Sequence, residues 1–239
     1  MQPSALFQQI HVAHGRPRLV AEHVALLERA ARRLFGLQAR LSAADLEREI
    51  VAFVARKRLP DAVSSFVRLE LTEEGQMRLL EGGVSLYAGY AVRSIRPQTF
   101  SLVYELPLEE WTSVAAESVH DLMRSYARGR GLDGVVQVDR LDRCLALGGA
   151  QLFAFREGVL LCAVEPQTVE AKLLALAADR LHIALEVGAL NRAELARCDE
   201  LFAVDVQGIT SVARCDRYSF MSLRVERLAE EMERLVSAR

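Results

Sequence analysis

The chain has 239 residues, of which 51% are hydrophobic and 26% are charged, and its formal net charge is −2. This composition is typical of a folded globular protein with one or two domains, and it excludes a disordered chain. The small net charge predicts no nucleic-acid partner and no attraction to a membrane surface. No apolar run reaches the roughly 18 residues of a membrane span, and the first residues lack a signal-peptide pattern, so we expect a cytoplasmic protein.

The four cysteines show no spacing typical of a metal site or of a disulfide framework. They fall in apolar stretches, which favours buried free thiols. The sequence therefore predicts no metal centre. The cysteines are Cys144, Cys162, Cys198 and Cys215.

The first half of the chain predicts two helices and an antiparallel sheet. Apolar residues recur at helical spacing from 19 to 37, and Ser42 with Asp45 supplies a cap for a second helix that ends before Pro60. We expect an α+β domain over residues 1–105 and a linker over 106–111, where Pro107 interrupts the pattern. The predicted strands are 4–13, 66–72, 77–80, 84–90 and 100–104.

The second half predicts a further α/β domain over residues 112–239. Its central stretch runs from Glu117 to Leu161, where a helix from about Val119 to Arg128 precedes short apolar strands separated by turns. The predicted strands of this half are 135–138, 144–147, 152–155, 159–164, 183–187, 201–206 and 209–213. The other predicted helices are 167–181, 192–197 and 222–237.

Four motifs occur in an order that is similar to one known family. They are FQQIHVAHGRPRLVAEHVALLERAARRLFG with His23, VRLELTEEG with Arg68 and Gly75, the segment 117–161 with QLFAF, and CDELF at 198–202. In this layout the chain resembles the class IV aminotransferases, which include branched-chain aminotransferase, D-amino acid aminotransferase and aminodeoxychorismate lyase.

The resemblance implies an α/β (α+β) fold with the two-domain architecture of the fold type IV enzymes that use pyridoxal phosphate (PLP), like D-amino acid aminotransferase. It implies a cleft between two domains and a homodimer. The apolar residues Val84, Leu86 and Tyr87 form a stretch that a second subunit would cover.

The residues that the family uses to bind PLP are replaced in this chain. The resemblance places the aldimine lysine at His120 and the carboxylate that pairs with the pyridine nitrogen at Ala146. Only Lys57 and Lys172 are lysines. Without a lysine there is no Schiff base and no general base at the substrate α-carbon.

The positions that hold the PLP phosphate are replaced as well. The family's arginine in the first helix falls at Leu26, and its Gly-Ile-Thr-Arg helix start falls at Val169 to Lys172. Its Gly-Thr pair falls at Asp205-Val206. Because Glu170 and Asp205 bring carboxylates to this place, a phosphate dianion would meet acceptors instead of donors.

Several of these residues allow more than one interpretation. His120 is either an acid/base group or a packed helix histidine, and Lys172 is either a relocated aldimine lysine or a surface residue. Arg68 either lines the cleft or lies on the sheet surface. Arg124 is best explained as part of a solvated helix face. The candidate cleft residues are Arg68, His120, Arg124, Lys172, Asp205 and Val206.

The sequence therefore predicts a degenerate class IV aminotransferase-like protein with no catalytic residue, no metal and no cofactor. Its role would be to bind a small molecule or a protein, or to assemble. Two alternatives stay open. One is an active PLP-dependent aminotransferase or aminodeoxychorismate lyase, and the other is an enzyme that uses the same cleft without PLP, with His120 as acid/base.

Overall fold

A computed structural model describes residues 5–38, 40–106 and 112–238. The chain divides into two units. The first unit consists of the residues up to Gly89 and a short segment that ends at Ala115. The second unit consists of a segment that begins at Tyr90 and of all residues from Ala116 onward. The sequence placed the division at residues 106–111 instead, and residues 107–111 lie outside the described part.

Within the described part, the helices and strands follow the predicted order closely. The helices are α1 Val20–Phe35, α2 Ala43–Lys57, α3 Val114–Arg128, α4 Val169–Arg180 and α5 Val225–Ser237, with a 3₁₀ turn at Glu194–Arg197. The strands are β1 Ala5–Ala13, β2 Arg16–Pro17, β3 Ser65–Thr72, β4 Met77–Val84, β5 Gln98–Val103, β6 Gly134–Val138, β7 Cys144–Leu147, β8 Ala150–Arg156, β9 Val159–Cys162, β10 Leu185–Val187, β11 Glu200–Asp205, β12 Gly208–Ser211, β13 Arg214–Cys215 and β14 Tyr218–Ser219.

The first unit is an antiparallel sheet with two helices. Its strands lie in the order β2-β1-β3-β4. Strand β1 pairs with β3 from Ala5 opposite Thr72 to Val12 opposite Ser65. The apolar stripe of α1 is buried, and the hydroxyl of Ser42 accepts a hydrogen bond from the backbone N–H of Asp45 at 3.3 Å, which confirms the predicted cap of α2.

The second unit is built on a larger mixed sheet. Its strands follow the order β10-β9-β8-β7-β6-β5-β13-β14, and β11 pairs with both β8 and β12. The core contains the fully buried side chains of Phe153, Phe155 and Phe202. The centre of the Phe202 ring lies 6.0 Å from that of Phe153 and 5.9 Å from that of Phe155. These aromatic contacts hold β8 and β11 side by side.

Three predictions about elements were wrong. Strand β5 does not continue the first sheet, because it pairs in parallel with β6 and β13 in the second unit. The predicted strand 84–90 does not form, because β4 ends at Val84 and residues 86–90 form bends. Helix α3 begins at Val114, five residues before the predicted start at Val119. The prediction of buried free thiols is confirmed for all four cysteines.

The turn between β11 and β12 depends on Gly208. Its φ is +105°, and an added Cβ would lie 2.3 Å from the carbonyl oxygen of Ala91. This close approach lets the N–H of Ile209 donate to that carbonyl at 2.9 Å. The segment that begins at Ala91 therefore lies directly against the start of β12.

We expect Gly208→Ala to lower the free energy of unfolding by about 3 kcal/mol or more, because the new methyl group collides with backbone in a strained conformation. Gly131→Ala is the control, since Gly131 also has positive φ, +70°, but nothing lies within 4 Å of its added Cβ. The control should lose only about 1 kcal/mol. Denaturant unfolding measures both, and equal losses would contradict the steric explanation.

Candidate functional site

His120 lies in the middle of α3, and its ring packs against the turn between β7 and β8. An added Cβ on Gly149 in that turn would lie 3.1 Å from both Cδ2 and Nε2 of the ring. Burial, helped by the nearby Arg124 guanidinium, lowers the pKa of His120 below 6.5, so the ring is neutral at pH 7. Within the described residues, its buried Nδ1 has no hydrogen-bond partner.

Arg124 lies one turn further along α3 on the same side. Its Nη1 donates to Asp121 at 2.7 Å, and its side chain is half exposed. Its Nη2 lies 3.9 Å from the place of an added Cβ on Gly148. The structure therefore brings His120 and Arg124 together beside the Gly148-Gly149 turn, with His120 packed against it and Arg124 half exposed.

Ala146 lies in β7, opposite Gln137 on one side and Gln151 on the other. Its methyl group offers no acceptor or charge at this position. The neighbouring Gln151 is buried and organises the approach to α4. Its amide Nε2 donates to the carbonyls of Val164 and Glu165 at 3.1 and 3.2 Å, and its Oε1 accepts from the N–H of Gln167 at 3.0 Å.

The first turn of α4 is closed by groups of the chain itself. The hydroxyl of Thr168 accepts from the N–H of Ala171 at 3.1 Å, as in a standard helix cap. Glu170 is 5% exposed, so its side chain is buried in the first turn of α4. Burial, with Asp205 nearby, raises the pKa of Glu170 to about 8.

Asp205 ends β11 and lies close to Glu170. Although part of the residue is exposed, its carboxyl is surrounded by protein, and this burial raises its pKa. The N–H of Gln207, at 2.8 Å from Oδ1, and the guanidinium of Arg93 act in the opposite direction. Arg93 itself donates to the hydroxyl of Thr210 at 3.3 Å. Glu170 in the first turn of α4 therefore interacts electrostatically with Asp205, and Asp205 in turn interacts with Arg93.

Neither lysine of the chain occupies a buried position. Lys172 follows Ala171 in the first turn of α4 and is exposed. Lys57 ends α2 in the first unit, where its Nζ lies 2.9 Å from Glu81 Oε1 and its side chain is 46% exposed. Neither amine therefore lies in the desolvated surroundings that activate a lysine as a nucleophile.

The remaining candidates have structural surroundings. Arg68 in β3 donates through Nε to Glu70 at 2.7 Å, and its guanidinium lies 3.7 Å from the centre of the Phe7 ring. Leu26 is buried in α1, and Val206 is buried after β11. Arg68 therefore lies on the sheet of the first unit in an ion pair and a ring contact.

Sequence reasoning identified Glu170 and Asp205 but missed three residues that shape their surroundings. They are Arg93, Gln151 and Thr168. A threonine three residues before Ala171 is a readable helix-cap signal. The roles of Arg93 and Gln151 depend on contacts between residues far apart in sequence, so no local pattern marks them.

Within the described residues, no cluster of His, Cys, Asp or Glu could hold a metal ion. In the same part of the chain, no helix is both long and apolar enough to cross a membrane.

Several solved structures share this fold, and they match it over nearly the whole length of the chain. A protein described as a 4-amino-4-deoxychorismate lyase of Legionella pneumophila matches with a TM-score of 0.82 at 15% identity, over 99% of this chain and 91% of that one. The branched-chain aminotransferase of Thermoproteus uzoniensis matches with 0.81 at 17% identity, over 98% and 86%. A hypothetical aminotransferase of Mycobacterium tuberculosis in its PLP-bound form matches with 0.79 at 18%, over 100% and 91%.

No protein-family model matches the chain, and no curated protein matches it in sequence. The structural matches show that the chain has the mixed α/β fold of the fold type IV PLP enzymes. They confirm the predicted resemblance to class IV aminotransferases at the level of the fold. Because the sequence identities are below 20%, these matches show the fold alone. The chemistry has to be argued from the residues of this chain.

The residues of the second unit do not fit PLP. Its one lysine, Lys172, is exposed, and Ala146 has no carboxylate. The N–H of Ala171 at the start of α4 is already hydrogen-bonded within the chain, and Glu170 brings to this turn a buried carboxyl group that interacts with Asp205. A phosphate needs free donors and positive charge, so this position opposes it.

Proposed function

We propose that this chain is a fold type IV protein that has lost PLP chemistry and now serves as a binding or assembly protein. One observation carries the proposal: between Lys57 and Lys172 the sequence contains no lysine. That interval holds the whole central segment 117–161, so the conclusion does not depend on aligning any single position with the family's lysine. His120 cannot replace the lysine, because an imidazole forms no stable imine with an aldehyde.

The chemistry of the Glu170 and Asp205 pair supports the same proposal independently. Each additional carboxyl group near a phosphate adds repulsion once it is ionised, and it adds a competing acceptor even when protonated. A pocket that no longer needs PLP is free to carry such groups.

An active aminotransferase or aminodeoxychorismate lyase is the second candidate. It is favoured by the likeness to the structures above, one of which is a PLP-bound aminotransferase. Such an enzyme would need an amine for PLP, and Lys172 is the one lysine in the second unit. A large rearrangement of α4 would be required to bury it.

Activity assays separate the two candidates. The purified chain is incubated with PLP and either a branched-chain amino acid plus 2-oxoglutarate or aminodeoxychorismate. We expect no turnover above that of PLP alone, because free PLP must then react without a protein base. Turnover that saturates with substrate and scales with protein concentration would support the second candidate.

We also propose that the chain forms a homodimer through the apolar stretch at the end of β4. Val84 and Leu86 are 53% and 83% exposed, while Tyr87 is fixed by its carbonyl, which accepts from the N–H of Ser64 at 2.7 Å. Such exposed apolar side chains next to an ordered backbone are typical of an interface.

Light scattering should give twice the 26.6 kDa mass of one chain. Leu86→Glu should then give the mass of one chain, because a charge buried in an interface is costly. Leu141→Glu is the matched control, since Leu141 is 72% exposed in the second unit. A single-chain mass for the wild-type protein across a wide concentration range would contradict the dimer.

A further inference from the structure

The loop that follows β4, residues 85–89, is anchored to one buried residue, Ser64. The backbone N–H of Ser64 donates to the carbonyl of Tyr87 at 2.7 Å, and its carbonyl accepts from the N–H of Ser85 at 2.8 Å. Its hydroxyl accepts from the N–H of Gly89 at 2.7 Å. The loop 85–89 forms neither helix nor strand, so these three hydrogen bonds to Ser64 fix its path.

The hydroxyl of Ser64 also contacts the imidazole of His11 in β1. Nε2 of His11 lies 2.7 Å from Oγ of Ser64, and both side chains are buried. In the described part of the chain, this nitrogen and the N–H of Gly89 are the two hydrogen-bond partners of Oγ. Because a backbone N–H can only donate, the hydroxyl proton is left with Nε2 as its acceptor. Nε2 is therefore unprotonated, and the proton of a neutral imidazole lies on Nδ1.

The surroundings of His11 offer little compensation for a positive charge. In the described part of the first unit, the charged and titratable side chains of the elements packed around it are His23 in α1, Arg18 after β2, Arg68 and Glu70 in β3, Arg78 in β4 and Tyr87 in the loop 85–89. The carboxylate of Glu70 already accepts from Nε of Arg68 at 2.7 Å. A proton added to His11 would therefore be buried near a carboxylate that is engaged elsewhere.

We infer that the neutral imidazole of His11, acting through the Ser64 hydroxyl, holds the loop 85–89 in place, and that a proton on Nε2 releases the loop. Both nitrogens of a protonated imidazole are donors, so the Nε2–H and the Ser64 O–H would compete for the same space. The hydroxyl would have to turn away, at the expense of its bond from Gly89 or of a buried donor left without an acceptor.

Release of the loop would change how the chain presents Leu86, whose side chain is 83% exposed. His11 and Ser64 thus form a conformational device that is sensitive to acid. The inference concerns the loop itself and goes beyond the proposed function. It holds or fails whether or not a second copy of the chain covers Leu86.

Hydrogen exchange of the Gly89 amide, corrected for the intrinsic effect of pH on exchange, measures the hold on the loop. In the wild-type protein, protection should fall by about tenfold or more between about pH 7.5 and about pH 5, while amides of β1 and β3 stay protected. His11→Gln should keep the protection at both pH values, because its side-chain carbonyl accepts without titrating.

Two further variants should lose the protection of Gly89 at both pH values. His11→Phe keeps an aromatic ring where the His11 ring now meets that of Phe66, at 5.5 Å between centroids, but it removes the acceptor. Ser64→Ala removes the hydroxyl. The matched control is His23→Gln, which should leave the pH dependence of Gly89 unchanged, because burial lowers the pKa of His23 to about 3.

The tautomer of His11 is measured on the wild-type protein by NMR of the imidazole nitrogens, so the test does not depend on variants that fold. At about pH 7.5 the proton should lie on Nδ1. A proton on Nε2 of His11 at that pH would overturn the inference. So would protection of Gly89 that is equal at both pH values in the folded wild-type protein.

Discussion

His120→Lys is expected to remain inactive with PLP. The new amine would lie beside the Gly148-Gly149 turn, where the His120 ring packs now. Two or three charge-assisted bonds to the phosphate would still be missing, at about 1.5–3 kcal/mol each, which amounts to roughly a hundredfold or more in affinity. Ala146 would still leave the pyridine nitrogen without a carboxylate partner.

The measurement is transaminase and lyase turnover of His120→Lys next to His120→Ala, which removes the ring without adding an amine. Both variants should match the background rate of PLP alone. Restored turnover in the lysine variant alone would show that the rest of the site still supports PLP. That result would favour the active-enzyme candidate.

Glu170→Gln is expected to stabilise the second unit at alkaline pH. The pKa of Glu170 is about 8 in the folded protein and 4.5 ordinarily. Between these values the unfolded chain loses the proton while the folded chain keeps it. The free energy of unfolding therefore falls as pH rises through this window, by up to about 1.4 kcal/mol per pH unit. Because glutamine is neutral like the protonated acid, the free energy of unfolding of the Glu170→Gln protein should not show this decrease.

His23 gives the opposite slope in the first unit. Its pKa falls from 6.5 to about 3 because it is buried, with His11 nearby as a lesser cause. The unfolded chain binds a proton below pH 6.5 that the folded chain refuses, so stability is lost as pH falls. Because His23 is present in both the wild-type and the Glu170→Gln proteins, its effect cancels in the difference between their unfolding free energies.

Denaturant unfolding of the wild-type and Glu170→Gln proteins at several pH values is the measurement. The difference in unfolding free energy should be small near pH 5 and reach about 2–4 kcal/mol near pH 8.5. Glu226→Gln, which changes an exposed glutamate in the first turn of α5, is the control and should show no such trend. Parallel curves for the wild-type and Glu170→Gln proteins would contradict a buried, protonated Glu170.

Elements with strong local signals were predictable from the sequence. Strand β1, the Ser42 cap of α2 and the paired strands β11 and β12 carry alternation, capping residues or turns that act over a few positions. The sheet membership of β5 was not predictable in this way. It pairs with β6 and β13, which lie about 35 and 115 residues further along the chain, and only tertiary packing selects such partners.

The candidate site shows the same division. The sequence located Glu170 and Asp205 by resemblance, and in the structure the two carboxyl groups interact electrostatically. It did not reveal Arg93 beside Asp205, nor the hydrogen bonds by which Gln151 fixes the loop before α4. The sequence pattern predicted the end of α3 but not its start at Val114. Among the described residues of this helix only Ala127 is buried, so no buried apolar stripe marks the first turns.

Borohydride trapping tests the central claim most directly. The purified chain is mixed with PLP, reduced, digested and analysed by mass spectrometry, in the folded state and after unfolding. The loss of PLP chemistry predicts no pyridoxyl group on Lys57 or Lys172 beyond the level that the unfolded chain shows for an exposed lysine. A saturable pyridoxyl group on Lys172 or Lys57 in the folded protein, together with turnover of an amino acid or of aminodeoxychorismate, would contradict it.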